Sequence, residues 1–414
     1  MTAGAAYGAG VTGAEKTTAA HGRARSWSIA GRLDPRHNSL NLVRLVLAGT
    51  VLVAHSFPLT ANGQGYLFNN QHLGTWAVYC FFCLSGFLIT GSRLRTRFGE
   101  YLSHRISRIF PAFLVSLVVV AFGFAPIAYL KQHGSLDGFL TAVPTPFHHL
   151  VANFALNMRE WGVAGTILDN PYPMAWNGSL WSLYYEFICY LVVGAVLSVA
   201  FLRKRPWVLV VMWAVSVVAA AKAPTTLAYF GNNGEVSLLL TLLPWFLGGA
   251  TVHVLRGIIP LAWWTGIPSG ALFIGLVVAD GTWGPPLSAP LLTVFLLWVG
   301  NALPSPALLK HHDISYGVYI YAFPSQQLVA AFGGAEHGPY VHAALSVPTT
   351  VLLAIASWLV IERPAMREAR GHKPARNECD VAAEAARASE TSDQGASRTT
   401  AQPVPEAESA AVRR

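Results

Sequence analysis

Within the apolar run LVRLVLAGTVLVAHSF, residues 42–57, Arg44 and His55 stand eleven positions apart. On a helix that spacing is close to three turns, which puts both side chains on one face, about 16 Å apart along the axis. A histidine can take and return a proton near neutral pH, and an arginine can hold a carboxylate or a phosphate. A second apolar run, WNGSLWSLYYEFICYL at 176–191, carries Glu186. A carboxylate there needs a cation, a proton or a hydrogen-bonding partner, and Arg44 or His55 could supply it. A third segment, YLSHRISRIFPAF at 101–113, places Arg105 and Arg108 three apart. Two guanidinium groups on one helix face suit phosphate oxygens. The plainer alternatives are a snorkelling Arg44, a structural pairing for Glu186 and a basic membrane anchor at 105–108.

Other polar residues read as packing. Ser85 and Gly86 in FFCLSGFLIT allow helices to approach closely, and Ser85 lacks the G-x-S-x-G context of a hydrolase nucleophile. Cys80 and Cys83 form a C-x-x-C inside an apolar run without histidine or acidic neighbours, so no metal is expected there. DISYGVYIYAFPSQQL, at 313–328, carries Tyr316, Tyr319 and Tyr321, of which a bundle-facing one could meet a substrate.

The elements that must position these groups are membrane helices. Of 414 residues 53% are hydrophobic and 12% charged, where a soluble domain carries about 25% charged residues; the mean hydropathy is +0.43. We expect an all-α, polytopic helical bundle with about ten transmembrane helices at 40–58, 75–92, 108–130, 179–201, 206–222, 237–255, 262–279, 286–303, 314–332 and 341–361. Basic residues fall before the first span and after every second one, so the positive-inside rule makes both termini cytoplasmic and sets His55 toward the outer leaflet. The net charge of +8 then reflects topology and contact with anionic lipid headgroups, not a nucleic-acid surface. Residues 1–37 and 367–414 read as polar cytoplasmic tails around a membrane domain at 38–366, and the first span serves as its own insertion signal. Between the third and fourth spans, loop 131–178 contains PFHHLVANFALNM, a candidate re-entrant or interfacial helix.

Taken in order from Asn38 to Arg367, these elements resemble the membrane-bound acyltransferase 3 family of O-antigen, exopolysaccharide, nodulation-factor and macrolide O-acyltransferases. The Arg44–His55 spacing, FF-x-LSGFLI at 81–89, the R-x-x-R of Arg105 and Arg108, WSL-x-x-E from Trp181 to Glu186, ISY-x-x-Y at 314–319 and ERP at 362–364 all match. Two positions depart: Asn41 replaces an acidic residue common three before the arginine, and Ala322 stands where the family often has a histidine.

The resemblance implies transfer of an acyl group, most often acetyl, from cytoplasmic acyl-CoA to a hydroxyl of a surface polysaccharide, glycolipid or other glycosylated acceptor, at the inner (plasma) membrane. No permanently bound cofactor is implied. His55 is the expected general base, or a nucleophile in a covalent route, and Glu186 its orienting carboxylate. Arg105 and Arg108 are expected to hold CoA phosphates, with Arg44 assisting them or pairing with Glu186. Trp181 and Tyr316 are the remaining candidates for substrate contact. The alternative is a transporter or flippase whose path is lined by the same polar residues.

Overall fold

A computed structural model describes residues 26–34 and 37–371. The described residues are 73% helical with almost no strand, as an all-α fold requires. Ten longer helices among the described residues occupy the ten apolar segments: α1 (Leu40–Leu59), α2 (Leu73–Arg95), α3 (Phe98–His133), α4 (Trp181–Val196), α5 (Val208–Ala221), α6 (Gly234–Leu255), α7 (Trp263–Ala279), α8 (Ala289–Ala302), α9 (Ser315–Ala331) and α10 (Pro339–Ala369). Five of them, α1, α2, α3, α6 and α10, are long and apolar enough to cross a membrane. A sixth span results if α5 and Ala223–Tyr229, bent by 96° at their junction, are taken together. At 14 to 17 residues, α4, α7, α8 and α9 are shorter than the roughly 20 residues a straight crossing needs.

The third helix begins ten residues before the expected span, which places Arg105 and Arg108 within it. The expected tails fall largely outside the described residues. Ile29–Arg32, inside the expected N-terminal tail, is a short helix whose Ile29 N–H donates to the Ile259 carbonyl at 2.9 Å.

Small residues set the closest approach. A Cβ on Gly86 of α2 would lie 1.8 Å from the Phe246 carbonyl oxygen of α6, and one on Gly249 would lie 2.0 Å from that of Cys83. The pair therefore packs backbone to backbone, as in small-residue contacts between membrane helices. At the centre runs α9, buried continuously from Ser315 to Gln327. Both of its glutamine amides donate to neighbouring segments: Gln326 to the Leu52 carbonyl at 2.8 Å and to Ser56 Oγ at 2.6 Å, and Gln327 to the Tyr172 and Ala175 carbonyls, each at 2.7 Å.

Two π-helical turns, Val120–Phe124 in α3 and Trp358–Glu362 in α10, rotate the residues that follow them; such turns often occur at functional sites. Two pieces of irregular chain close the His55 end. Leu67–Phe68 pairs with Gln71–His72 through a tight turn whose Asn69 and Asn70 both have positive φ, 47° and 58°, the conformation a two-residue hairpin demands and asparagine tolerates. The segment PFHHLVAN forms the helix Pro146–Asn153, capped by Thr145, and His149 fixes its loop by donating from Nδ1 to the Gly162 carbonyl at 3.0 Å.

Candidate active site

Arg44 and His55 share a face of α1 but border different cavities. The His55 cavity, about 900 Å³, is lined by α1, by His72 and Thr75, by the 160–181 loop and by Tyr319 and Phe323 of α9. The Arg44 cavity, about 40 Å³, is lined by Arg44, Ser85, Ser182, Glu186, Ser315 and Tyr316, room for about three waters. Val78 and Tyr319 border both.

His55 is held by ring contacts. Phe323 meets it edge to face with centroids 5.1 Å apart, and His72 lies 6.5 Å away. Gly178 makes that possible, since a Cβ there would come within 2.4 Å of the Phe323 ring. His55 Nδ1 is buried with no hydrogen-bond partner among the described residues, which leaves Nε2 for the cavity. Burial lowers the pKa of His72, at the cap of α2, below the usual histidine value.

The expected contact between Glu186 and His55 is not made. The Glu186 carboxylate accepts a hydrogen bond from Tyr190 OH at 2.6 Å and another from Ser85 Oγ. Helix α4 turns Glu186 toward Ser85 of α2, and among the described residues no hydrogen bond joins a carboxylate to His55. Ser85, read from sequence as packing alone, is therefore part of the polar lining, and only its neighbour Gly86 serves packing.

Nor does Glu186 pair with Arg44. Arg44 Nη1 donates to Asp313 Oδ2 at 2.5 Å, and Arg108 Nη2 donates to the same oxygen at 2.6 Å. Arg108 Nη1 also donates to Glu362 Oε2 at 3.1 Å, while Ser357 Oγ donates to Oε1 at 3.1 Å and Ser315 Oγ to Asp313 Oδ1 at 2.5 Å. Two cations and two carboxylates compensate one another, the condition under which charges are buried at tolerable cost. Asn41 is spent on the Leu309 carbonyl at 2.8 Å; the acid that Arg44 lacks in its own helix comes from the start of α9.

The two arginines expected to act together on phosphates differ in their surroundings. The Arg108 guanidinium is committed to Asp313 and Glu362 and sits over the Tyr316 ring, 5.7 Å from its centroid. Arg105 makes no ion pair among the described residues, and its Nε is buried without a partner. Of the two aromatic candidates, Trp181 lines the His55 cavity, and Tyr316 lines the Arg44 cavity with its hydroxyl donated to the Ile109 carbonyl at 2.9 Å. Ala322 is buried with Leu52 and Ala343 in a small apolar cluster.

Sequence reasoning missed Asp313 and Glu362 as ion-pair partners, His72 and Ser85 as cavity-lining groups, and Val78 and Tyr319 as the residues common to both cavities. The signal for the acids lay in the ISY-x-x-Y and ERP elements, each with a carboxylate at or beside its start.

The model of the acyltransferase 3 family, described as an acyltransferase domain, matches residues 37–362. The chain is 27% identical over 346 residues to an O-acetyl transferase of Shigella phage Sf6, covering 79% of this chain and 96% of that one. It is also 27% identical over 376 residues to nodulation protein 10 of Rhizobium leguminosarum bv. viciae, covering 80% of this chain and 93% of the relative. No solved structure matches. The matched span runs from before Arg44 to Glu362, across every helix that contributes to the two cavities and the ion network, and the chain thus belongs to the acyltransferase 3 family and is an acyltransferase.

Proposed function

We propose that this O-acyltransferase takes a short acyl group from acyl-CoA arriving on the Arg44 side and delivers it to a hydroxyl of a glycosylated acceptor in the His55 cavity. One arrangement carries the reading: a single face of α1 offers a cation to one cavity and an imidazole to another, and Val78 and Tyr319 stand where the two meet. Basic residues at the Arg44 end favour a cytoplasmic placement for that end and for both termini in an inner membrane. The donor is made there and carries its phosphates at one end of a long thin arm. Arg105, which makes no ion pair among the described residues, is the group for a phosphate, while Glu186 and Ser85 offer polar atoms to the amides of the arm.

At the other end, His55 acts as general base. As the acceptor oxygen attacks the thioester carbonyl carbon, its proton passes to His55 Nε2, the C–O bond forms and the C–S bond breaks. The proton then moves from the imidazolium to the departing sulfur, so free CoA leaves as the thiol and no net proton is consumed. Such a base contributes about 10² to 10⁴ in rate. Trp161, Trp181 and Tyr172 on the cavity wall suit the apolar faces of sugar rings, and an O-acetyl transferase among the relatives favours acetyl as the group moved.

The test is vectorial transfer. The full chain in sealed vesicles of known orientation receives acetyl-CoA labelled in the acetyl group, together with the glycan and glycolipid fractions of the source cell. Label should enter one of those fractions only when the donor is supplied on the face bearing the termini. Label entering neither fraction, or equal labelling from both faces, ends the proposal.

A further inference from the structure

We propose that Val78 and Tyr319 form a neck that limits the length of the acyl group this enzyme transfers; the assignment rests on the acyl-CoA donor reading above. Both residues border the His55 cavity and the Arg44 cavity, so a thioester drawn from the Arg44 side must present its carbonyl to His55 between them. Each is 6% exposed.

Neither side chain is free to step aside. Tyr319 OH donates to the Ser179 carbonyl at 2.6 Å and lies 2.7 Å from Ser182 Oγ, which ties it to the start of α4. Its ring meets Phe81 edge to face with centroids 5.9 Å apart. Val78 is β-branched and sits within α2, where such a side chain holds essentially one χ1 rotamer. Behind the neck the Arg44 cavity offers about 40 Å³, against about 900 Å³ on the His55 side. The site is therefore roomy where the acceptor binds and tight where the acyl group travels. Acetyl adds one methyl to the carbonyl; each further methylene must be fitted against two fixed side chains. One methylene in an apolar pocket changes discrimination by about 10- to 200-fold.

The experiment compares acetyl-, propionyl-, butyryl- and hexanoyl-CoA as donors for the reconstituted full chain, reading CoA thiol release in the presence of the source cell's glycolipid and glycan fractions. The wild type should fall about tenfold or more in kcat/KM with each added methylene. Val78→Ala should raise the butyryl-to-acetyl ratio of kcat/KM by about tenfold or more, and Val78→Ile should lower the propionyl-to-acetyl ratio by a similar factor. Tyr319→Phe keeps the ring and removes its anchors to Ser179 and Ser182, so it should also raise the butyryl-to-acetyl ratio, by less. Thermal melting of each variant in detergent separates a changed profile from a damaged fold. A flat length profile in the wild type overturns the neck, as do unchanged ratios in both Val78 variants. Absence of CoA release from every donor, wild type included, overturns the donor reading and the neck with it.

Discussion

Arg44 and Asp313, 269 residues apart in the chain, meet at 2.5 Å between Nη1 and Oδ2. The same oxygen accepts Arg108, and Arg108 continues to Glu362, so one electrostatic unit joins α1, α3, α9 and α10. Asp313 lies just ahead of α9, where its Oδ1 also accepts from the Ser315 backbone N–H at 3.3 Å and its charge faces the positive end of the helix dipole.

Removing one charge from that unit should be costly. Asp313→Asn leaves Arg44 and Arg108 facing only Glu362, and breaking a buried pair in this way costs about 3 to 5 kcal/mol. Thermal unfolding of the detergent-solubilised protein should show a clear drop in midpoint. An unaltered midpoint would mean that water, not Asp313, compensates the arginines.

Arg105 and Arg108 should separate in their effects although they sit three residues apart. Arg108→Ala removes the ion-pair partner of Glu362 and leaves Asp313 with Arg44 alone, and should lower stability strongly. Arg105→Ala removes a cation that makes no ion pair among the described residues; it should raise the KM for acetyl-CoA about tenfold with little change in kcat, the signature of binding lost equally in ground and transition states. The reverse pattern would assign the phosphate contact to Arg108.

His55→Ala should cut acyl transfer by about 10² to 10⁴ while the protein stays monodisperse. Its side chain is held by aromatic contacts alone, so little folding energy depends on its charge. Activity within a few-fold of wild type would remove His55 from the mechanism.

Because the Glu186 carboxylate is bonded to Ser85 and Tyr190, Glu186→Gln should leave the imidazole limb of the pH–rate profile where it is, even as activity falls. A displaced limb would indicate electrostatic contact between Glu186 and His55 in the working enzyme.

The loop that walls the His55 cavity should loosen in acid. His149 is fully buried, donates from Nδ1 to the Gly162 carbonyl, and accepts at Nε2 from Asn177 Nδ2 at 3.3 Å; burial pushes its pKa from 6.5 down to about 4. The unfolded loop takes up a proton near pH 6.5 while the folded loop does so only near pH 4. Stability is therefore fully present above about pH 6.5 and is lost as pH falls between these values, by about 3 kcal/mol. Hydrogen exchange at Gly162 and Asn177 should accelerate over that window. His149→Gln should flatten the dependence, and a dependence unchanged in that variant would take it away from His149.

Local regularities in the sequence determined much of this protein. Ten apolar segments are ten helices because a run of apolar residues with its backbone groups paired internally is the form such a chain can take in lipid. The eleven-residue step from Arg44 to His55 put both on one face because helical geometry is periodic and local. Motif order was enough to point to the family. What the tertiary structure decided was which residues meet across helices. That depends on how each helix is rotated and how closely it approaches, which for α2 and α6 is set by Gly86 and Gly249 and for Glu362 by a π-helical turn. Asp313 took Arg44 and Arg108, Ser85 and Tyr190 took Glu186, and His55 was left facing a cavity walled by a distant loop. Those pairings couple positions from 4 to 269 residues apart, and the long-range ones arise only when packing brings the helices together, a length scale that no spacing rule within one helix can reach.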